Sequence, residues 1–175
     1  MMPLDTPVLT LTDLSRMPRE EFTTRLGAIF EHSPWIAEGA WASRPFADVD
    51  QLHDAMLAVL NAANDADRLA LICAHPELAG KEAASGTLTH ASTNEQRGAG
   101  LDQCSANELA HLRALNAAYR KRFGFPFVIA VKGLSRHQIM DAIECRLENP
   151  RETEFAACLT EIGKIARFRL DTLFA

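Results

Sequence analysis

FPFVIAV, Phe125 to Val131, decides the fold, because it is the one run in the chain that argues for a β-strand. It is apolar, mixes aromatic with β-branched residues, and lies between Gly124 and Gly133, which is strand rather than helix chemistry. One isolated run has no partner and cannot make a sheet. The expectation for Phe125–Val131 is therefore a buried extended connector, with helices on either side.

The flanking sequence supports that. Ser33-Pro34 and Asn149-Pro150 each set a capping side chain before a proline at the first helical position. Ser105 and Glu108 form a capping box, followed by a one-face stripe of Leu109, Leu112, Leu115 and Tyr119. Further stripes at helical spacing are Leu52, Met56, Leu60 and Ala63, and Phe155, Cys158, Ile162, Ile165 and Leu173. Ser135 caps a segment carrying Ile139, Ile143 and Leu147 that ends at Asn149. Gly80 to Ser92 is small and polar, suited to a loop or a short frayed helix. No repeat, linker or low-complexity tract interrupts the pattern. It predicts an all-α, single-domain bundle over residues 1–175, of about eight to nine helices, with its core at about 10–173.

Composition narrows the function. The chain has 175 residues, 47% apolar and 23% charged, enough for one domain with a real core. Eighteen Lys and Arg against twenty-three Asp and Glu leave a net charge of −5, with no basic cluster to read as a nucleic-acid footprint. The expected partner is a small molecule or a second copy of the chain, with no nucleic acid and no membrane. Cys73, Cys104, Cys145 and Cys158 are scattered, without the spacing of a zinc site or a disulfide framework, which fits a reducing cytoplasm. The N-terminal MMPLDTPVLTL lacks the charge-then-apolar order of a leader. No metal is expected, because His75-Pro76-Glu77 lacks the i, i+4 pair of a helical zinc site. No motif for an organic cofactor is present, so none is expected.

Three polar positions are not needed by a bundle. The run LALICAHPELAGK, Leu69 to Lys81, carries an apolar helix up to His75 and stops it with Pro76. An imidazole at a helix C-terminus sits where positive charge is favoured, which suits a proton donor as well as it suits a cap histidine. Glu95 stands three residues after Ser92, at capping-box spacing, with Gln96 beside it and the glycine-rich RGAGL following. A short helix loosened in this way can present its N-terminal N–H groups to an anion. Arg169 falls on the apolar seam of the last helix, either snorkelling or held for a carboxylate that its planar fork matches. His90 reads as a loop residue, and His32, His53, His111 and His137 as surface or cap residues. Cys73, in an apolar helix, is expected to be buried and to pack as a small hydrophobe. One imidazole, one carboxylate, one amide and one guanidinium suit proton transfer on an anionic small molecule.

HPELAGK at 75–81, STNEQRGAGL at 92–101, FGFPFVIAVKG at 123–133, EIGKIARFRLDTL at 161–173, EHSPWIAEGAW at 31–41 and RPF at 44–46 together resemble the 2-oxo-4-hydroxy-4-carboxy-5-ureidoimidazoline (OHCU) decarboxylases of urate breakdown. RLENPRETE, Arg146 to Glu154, also fits and looks structural. The resemblance runs in order from about residue 10 to residue 173. It implies an all-helical, cofactor-independent carbon–carbon lyase, often a homodimer, that forms (S)-allantoin and carbon dioxide. It also implies that His75 and Glu95 are catalytic. Pro76, Ser92, Glu95, Gln96, Phe127, Val128, Ile129, Ala130, Val131 and Arg169 would bind the substrate. A same-scaffold enzyme acting on a related ureide, or a catalytically silent helical interaction module, would share the fold. The four intact polar positions argue against the silent module.

Overall fold

In the computed structural model, which describes residues 8–175, helices account for nearly all regular structure. Met1 to Pro7, within the stretch read as lacking a leader, lie outside the described residues. Chain order is α1 (Leu11–Arg16), α2 (Arg19–Leu26), α3 (Pro34–Ala40), α4 (Val49–Ala62), α5 (Asp65–Ala74), α6 (Lys81–Ser85), α7 (His90–Gly98), α8 (Ala106–Phe123), α9 (Arg136–Arg146) and α10 (Arg151–Leu173). Single 3-10 turns occupy Trp41–Ser43 and Leu101–Gln103. Among the described residues there are ten α-helices, eight of them of seven residues or more, and no strand. The all-α expectation holds. None of these helices is long and apolar enough to cross a membrane.

The caps explain most helix starts. The Ser105–Glu108 box opens α8, and Ser135 opens α9 in a box with Gln138. Gly124, at φ 83, ends α8 in the left-handed region open to glycine. Four boundaries differ from expectation. Ser33 occupies the N-cap of α3, but its hydroxyl donates back to the Glu31 carbonyl at 2.9 Å rather than capping. Asn149 caps nothing, because its Nδ2 donates to Glu154 Oε2 at 3.0 Å. α10 then starts one residue late, with the Pro150 carbonyl accepting from the Glu154 N–H at 3.1 Å. α9 ends at Arg146, short of Asn149, where the chain tightens into turns: the Glu148 N–H reaches the Cys145 carbonyl at 3.3 Å and the Asn149 N–H the Arg146 carbonyl at 3.1 Å. α7 begins at His90 rather than after Ser92. Thr89 is its N-cap, accepting from the Ser92 N–H at 3.2 Å, so Ser92 and Glu95 form no capping box and His90 is helical.

The described residues fall into two compact units. The first holds α1 to α4 and α10 from Ala166 onward. Leu14, Phe22, Leu26, Ile36, Leu52 and Met56 are fully buried there. α3 packs on both α2 and α4, and Gly39 of α3 faces Val59 of α4 so closely that a Cβ would lie 2.9 Å from Val59 Cγ1. The Trp41 indole donates to the Met17 carbonyl at 3.0 Å, and the Arg44 guanidinium lies 3.6 Å over its ring. EHSPWIAEGAW and RPF thus build this unit's frame.

The second unit holds α5 to α9 and α10 up to Ile165. As predicted, Phe125–Val131 is a connector without regular structure. Phe125 and Phe127 are buried in an aromatic cluster with Tyr119, at centroid distances of 6.1 and 5.2 Å. That burial explains how the segment stays inside without a ladder. Glu108 clamps the starts of α8 and α9: it accepts from the Ser105 N–H at 3.0 Å and from Arg136 Nε at 2.9 Å. The Ser105 backbone bond, followed by the Arg136 bond, lowers its pKa from 4.5 to about 2.

The Gly39 contact predicts that Gly39→Ala is destabilising by overpacking, about 1–3 kcal/mol before the helix-propensity gain of alanine. A lower Tm in Gly39→Ala, restored when Val59→Ala is added, would verify the contact. An unchanged Tm would refute it. A carboxylate whose folded pKa is depressed stabilises above its unfolded value and stops doing so as pH falls through its folded value. The Glu108 contribution should therefore disappear between pH 4.5 and about 2. Thermal melts across that window should show a smaller acid-induced fall in Tm for Glu108→Gln than for the parent chain.

Candidate active site

α5 delivers His75 as expected. The helix closes at Ala74, the His75 N–H donates to the Ile72 carbonyl at 3.2 Å, and Pro76 prevents continuation. The residue is only 7% exposed, which no helical stripe would have required. The chain behind it turns sharply. The Gly80 N–H reaches the Glu77 carbonyl at 3.2 Å, and Ala79 is held at φ 49, a left-handed conformation that a Cβ-bearing residue seldom adopts.

Two buried amides hold this turn. The Gln96 oxygen accepts from the Ala79 N–H at 2.9 Å, and Asn116 Nδ2 donates to the Leu78 carbonyl at 3.0 Å. Because a peptide N–H can only donate, the Gln96 carboxamide is oriented unambiguously, with its NH₂ turned elsewhere. The α7 register serves this contact. With Thr89 as cap, Ser92 and Gln96 fall one turn apart on the buried face, and Glu95 is half-buried beside them. Outside, Arg120 Nε donates to Glu77 Oε1 at 2.8 Å. An open concavity of about 540 Å³ borders Glu77, Gly80, Lys81 and Arg113, and none of the predicted site residues lines it.

The connector is pinned from beneath. Arg146 Nη1 donates to the Val128 carbonyl at 2.8 Å, its Nε donates to Glu154 Oε1 at 2.7 Å, and its guanidinium lies 4.4 Å over the Phe127 ring. Glu154 is fully buried and also accepts from the Tyr119 hydroxyl at 2.6 Å. Burial pushes the Tyr119 hydroxyl far above its ordinary range, with its bonds to Cys158 and Glu154 adding to the effect. Burial also raises the Cys158 thiol, the wrong direction for a nucleophile. Burial opposes the charge of Arg146, but the bond to Glu154 together with the fields of Cys158, Glu154 and Tyr119 outweighs it and the pKa rises. Cys73, expected inside, is exposed: it lies on the solvent side of α5, while Leu71 and Ile72 take the buried side.

Arg169 belongs to the first unit and is 8% exposed. Its Nη1 lies 2.8 Å from Glu31 Oε2 and 3.2 Å from the Ala28 carbonyl. The sequence placed Arg169 on the seam but offered no hint of Glu31, a 2% exposed carboxylate just before a proline-started helix. Asn116 was findable, since it lies four residues after Leu112 on the apolar stripe of α8. The structure links Gln96 directly to the turn behind His75. His90 bonds Asn94 at 3.3 Å, and the exposed His111 and His137 meet Glu144 and Glu108. Among the described residues no three His, Cys, Asp or Glu side chains group in a way that could hold a metal ion.

Known proteins place this architecture. The chain is 41% identical over 167 residues to the 2-oxo-4-hydroxy-4-carboxy-5-ureidoimidazoline decarboxylase of Haloferax volcanii, covering 95% of this chain and 97% of that protein. It is 44% identical to the uric acid degradation bifunctional protein PucL of Bacillus subtilis, covering 93% of this chain and spanning 32% of that longer protein. Its fold matches a crystal structure of an OHCU decarboxylase determined in the presence of (S)-allantoin, with TM-score 0.69 and 26% identity, over 89% of this chain and 97% of that one. The family model for OHCU decarboxylase matches residues 15–171. The chain belongs to the OHCU decarboxylase family.

Proposed function

We propose that the chain decarboxylates OHCU to (S)-allantoin and carbon dioxide, working in the cytoplasm as one catalytic domain and as a homodimer, without a cofactor. The observation that carries this reading is His75, a buried imidazole at the end of α5 whose following turn is held by Gln96 and Asn116. Such clamping suits a group that must meet one face of a small ring with little positional freedom.

The substrate supplies its own electron sink. As the bond from the ring carbon to its carboxylate breaks, the electron pair moves toward the neighbouring carbon–nitrogen double bond. The hydroxyl on the reacting carbon gives up its proton and becomes a carbonyl. That proton and one more end on the adjacent carbon and on nitrogen, and delivery to one face sets the (S) configuration. His75 makes the proton transfer. Glu95 fixes the substrate hydroxyl or the groups that partner the imidazole. Arg169, oriented by Glu31, anchors the carboxylate. Gln96 donates through the NH₂ left after its oxygen is taken by Ala79. Pro76 and Ser92 shape the wall, and the main chain of Phe127–Val131 reads the amide-rich ureide.

Freshly generated OHCU added to the purified protein should give faster formation of the (S) product alone, followed by circular dichroism. Acceleration of both hands, or of neither, would reject the reading. His75→Ala should lower the rate by about 10²–10⁴-fold while the helical signal persists. A near-normal rate would remove His75 from the mechanism. Cys73→Ala, at an exposed position, should keep full activity.

A further inference from the structure

The connector Phe125–Val131 is bonded along one edge at Val128. The Val128 carbonyl accepts from Arg146 at 2.8 Å, and the Val128 main chain lies against the buried Cys158 thiol. The Val128 side chain is buried as well, so within the proposed Phe127–Val131 wall this residue turns its carbonyl inward, toward Arg146. Ile129 is different. It is only half-buried, and no acceptor among the described residues takes its N–H.

The two facts are coupled by the peptide bond between them. Arg44–Pro45 is the cis bond found among the described residues, so Val128–Ile129 is trans. A planar trans peptide sets its C=O and N–H antiparallel. Fixing the Val128 carbonyl toward Arg146 therefore points the Ile129 N–H the opposite way, away from the internal cluster.

We propose that Arg146 is a positioning residue for the decarboxylation: by holding the Val128 carbonyl, it presents the Ile129 N–H as a rigid donor to an acceptor oxygen of the ureide. This rests on the proposed reading of Phe127–Val131 as substrate wall. Arg146 does not touch the substrate and acts through one peptide plane. Its own freedom is removed by Glu154, 2.7 Å from Nε, and by the Phe127 ring, 4.4 Å away. A lysine cannot replace it, because a single ammonium lacks the fork that holds Glu154 and the Val128 carbonyl together.

Two variants separate positioning from stability. Arg146→Lys keeps a cation beside Glu154 but releases the connector. Tyr119→Phe removes one bond to Glu154 and leaves the Arg146–Val128 link. Both should lower Tm. With fresh OHCU, Arg146→Lys should raise KM roughly tenfold, the scale of one lost hydrogen bond, with kcat less affected, while Tyr119→Phe keeps KM within about twofold. An unchanged KM in Arg146→Lys, or an equal rise in both variants, overturns the role. An inactive parent chain would instead count against the decarboxylase reading. Amide exchange in the parent protein needs neither turnover nor a folded variant. The Val128 N–H should be protected without ligand, and the Ile129 N–H should become protected only when (S)-allantoin is added. An Ile129 amide unmoved by bound allantoin, or already protected without it, overturns the proposal.

Discussion

A fully buried carboxylate, Glu154, is the constraint around which the second unit is arranged. It accepts from Tyr119 of α8, Arg146 of α9 and Asn149 in the turn before α10. A charge taken out of water is tolerated only when it is paired and its remaining lone pairs are bonded. Losing a partner of such a pair typically costs about 3–5 kcal/mol, although the intact pair need not be more stable than an apolar substitute. Its effect here is specificity. Three helices must meet in one register, or the carboxylate is left without partners.

The same constraint sets the connector. A segment with no ladder still needs its main-chain groups satisfied when buried. Arg146 answers that need at Val128, and the aromatic cluster of Tyr119, Phe125 and Phe127 excludes water around it. The turn behind His75 is solved in a parallel way, by Gln96 and Asn116 rather than by regular structure. In both places irregular backbone is rigid because buried side chains bond it. Rigidity without regular hydrogen bonding suits a site that reads amides and transfers a proton.

Two misplacements along the chain share one cause. By type and spacing, Asn149 fits a cap for α10 and Ser92 a cap for the helix carrying Glu95. Each match of residue type and spacing is real, yet a competing partner within five residues removes both. Asn149 is drawn to Glu154, and the α7 register is set by Thr89, which places Ser92 and Gln96 on the buried face. Cys73 failed differently. α5 buries one side, with Leu71 and Ile72, and leaves Cys73 on the other, although the helix is apolar around it.

What the sequence by itself determined was local: the all-α class, the end of α5 at His75, the box at Ser105, the cap at Ser135, and the absence of a sheet at Phe125–Val131. These follow from interactions within about four residues, where a side chain meets a nearby N–H or a proline blocks the next turn. Only the tertiary structure decided how the buried polar groups are paired. Tyr119 and Glu154 are 35 positions apart, Asn116 and Leu78 are 38, and Glu31 and Arg169 are 138. No periodicity encodes such pairings, because each depends on where whole helices come to rest, and a buried charge or amide can be met only there.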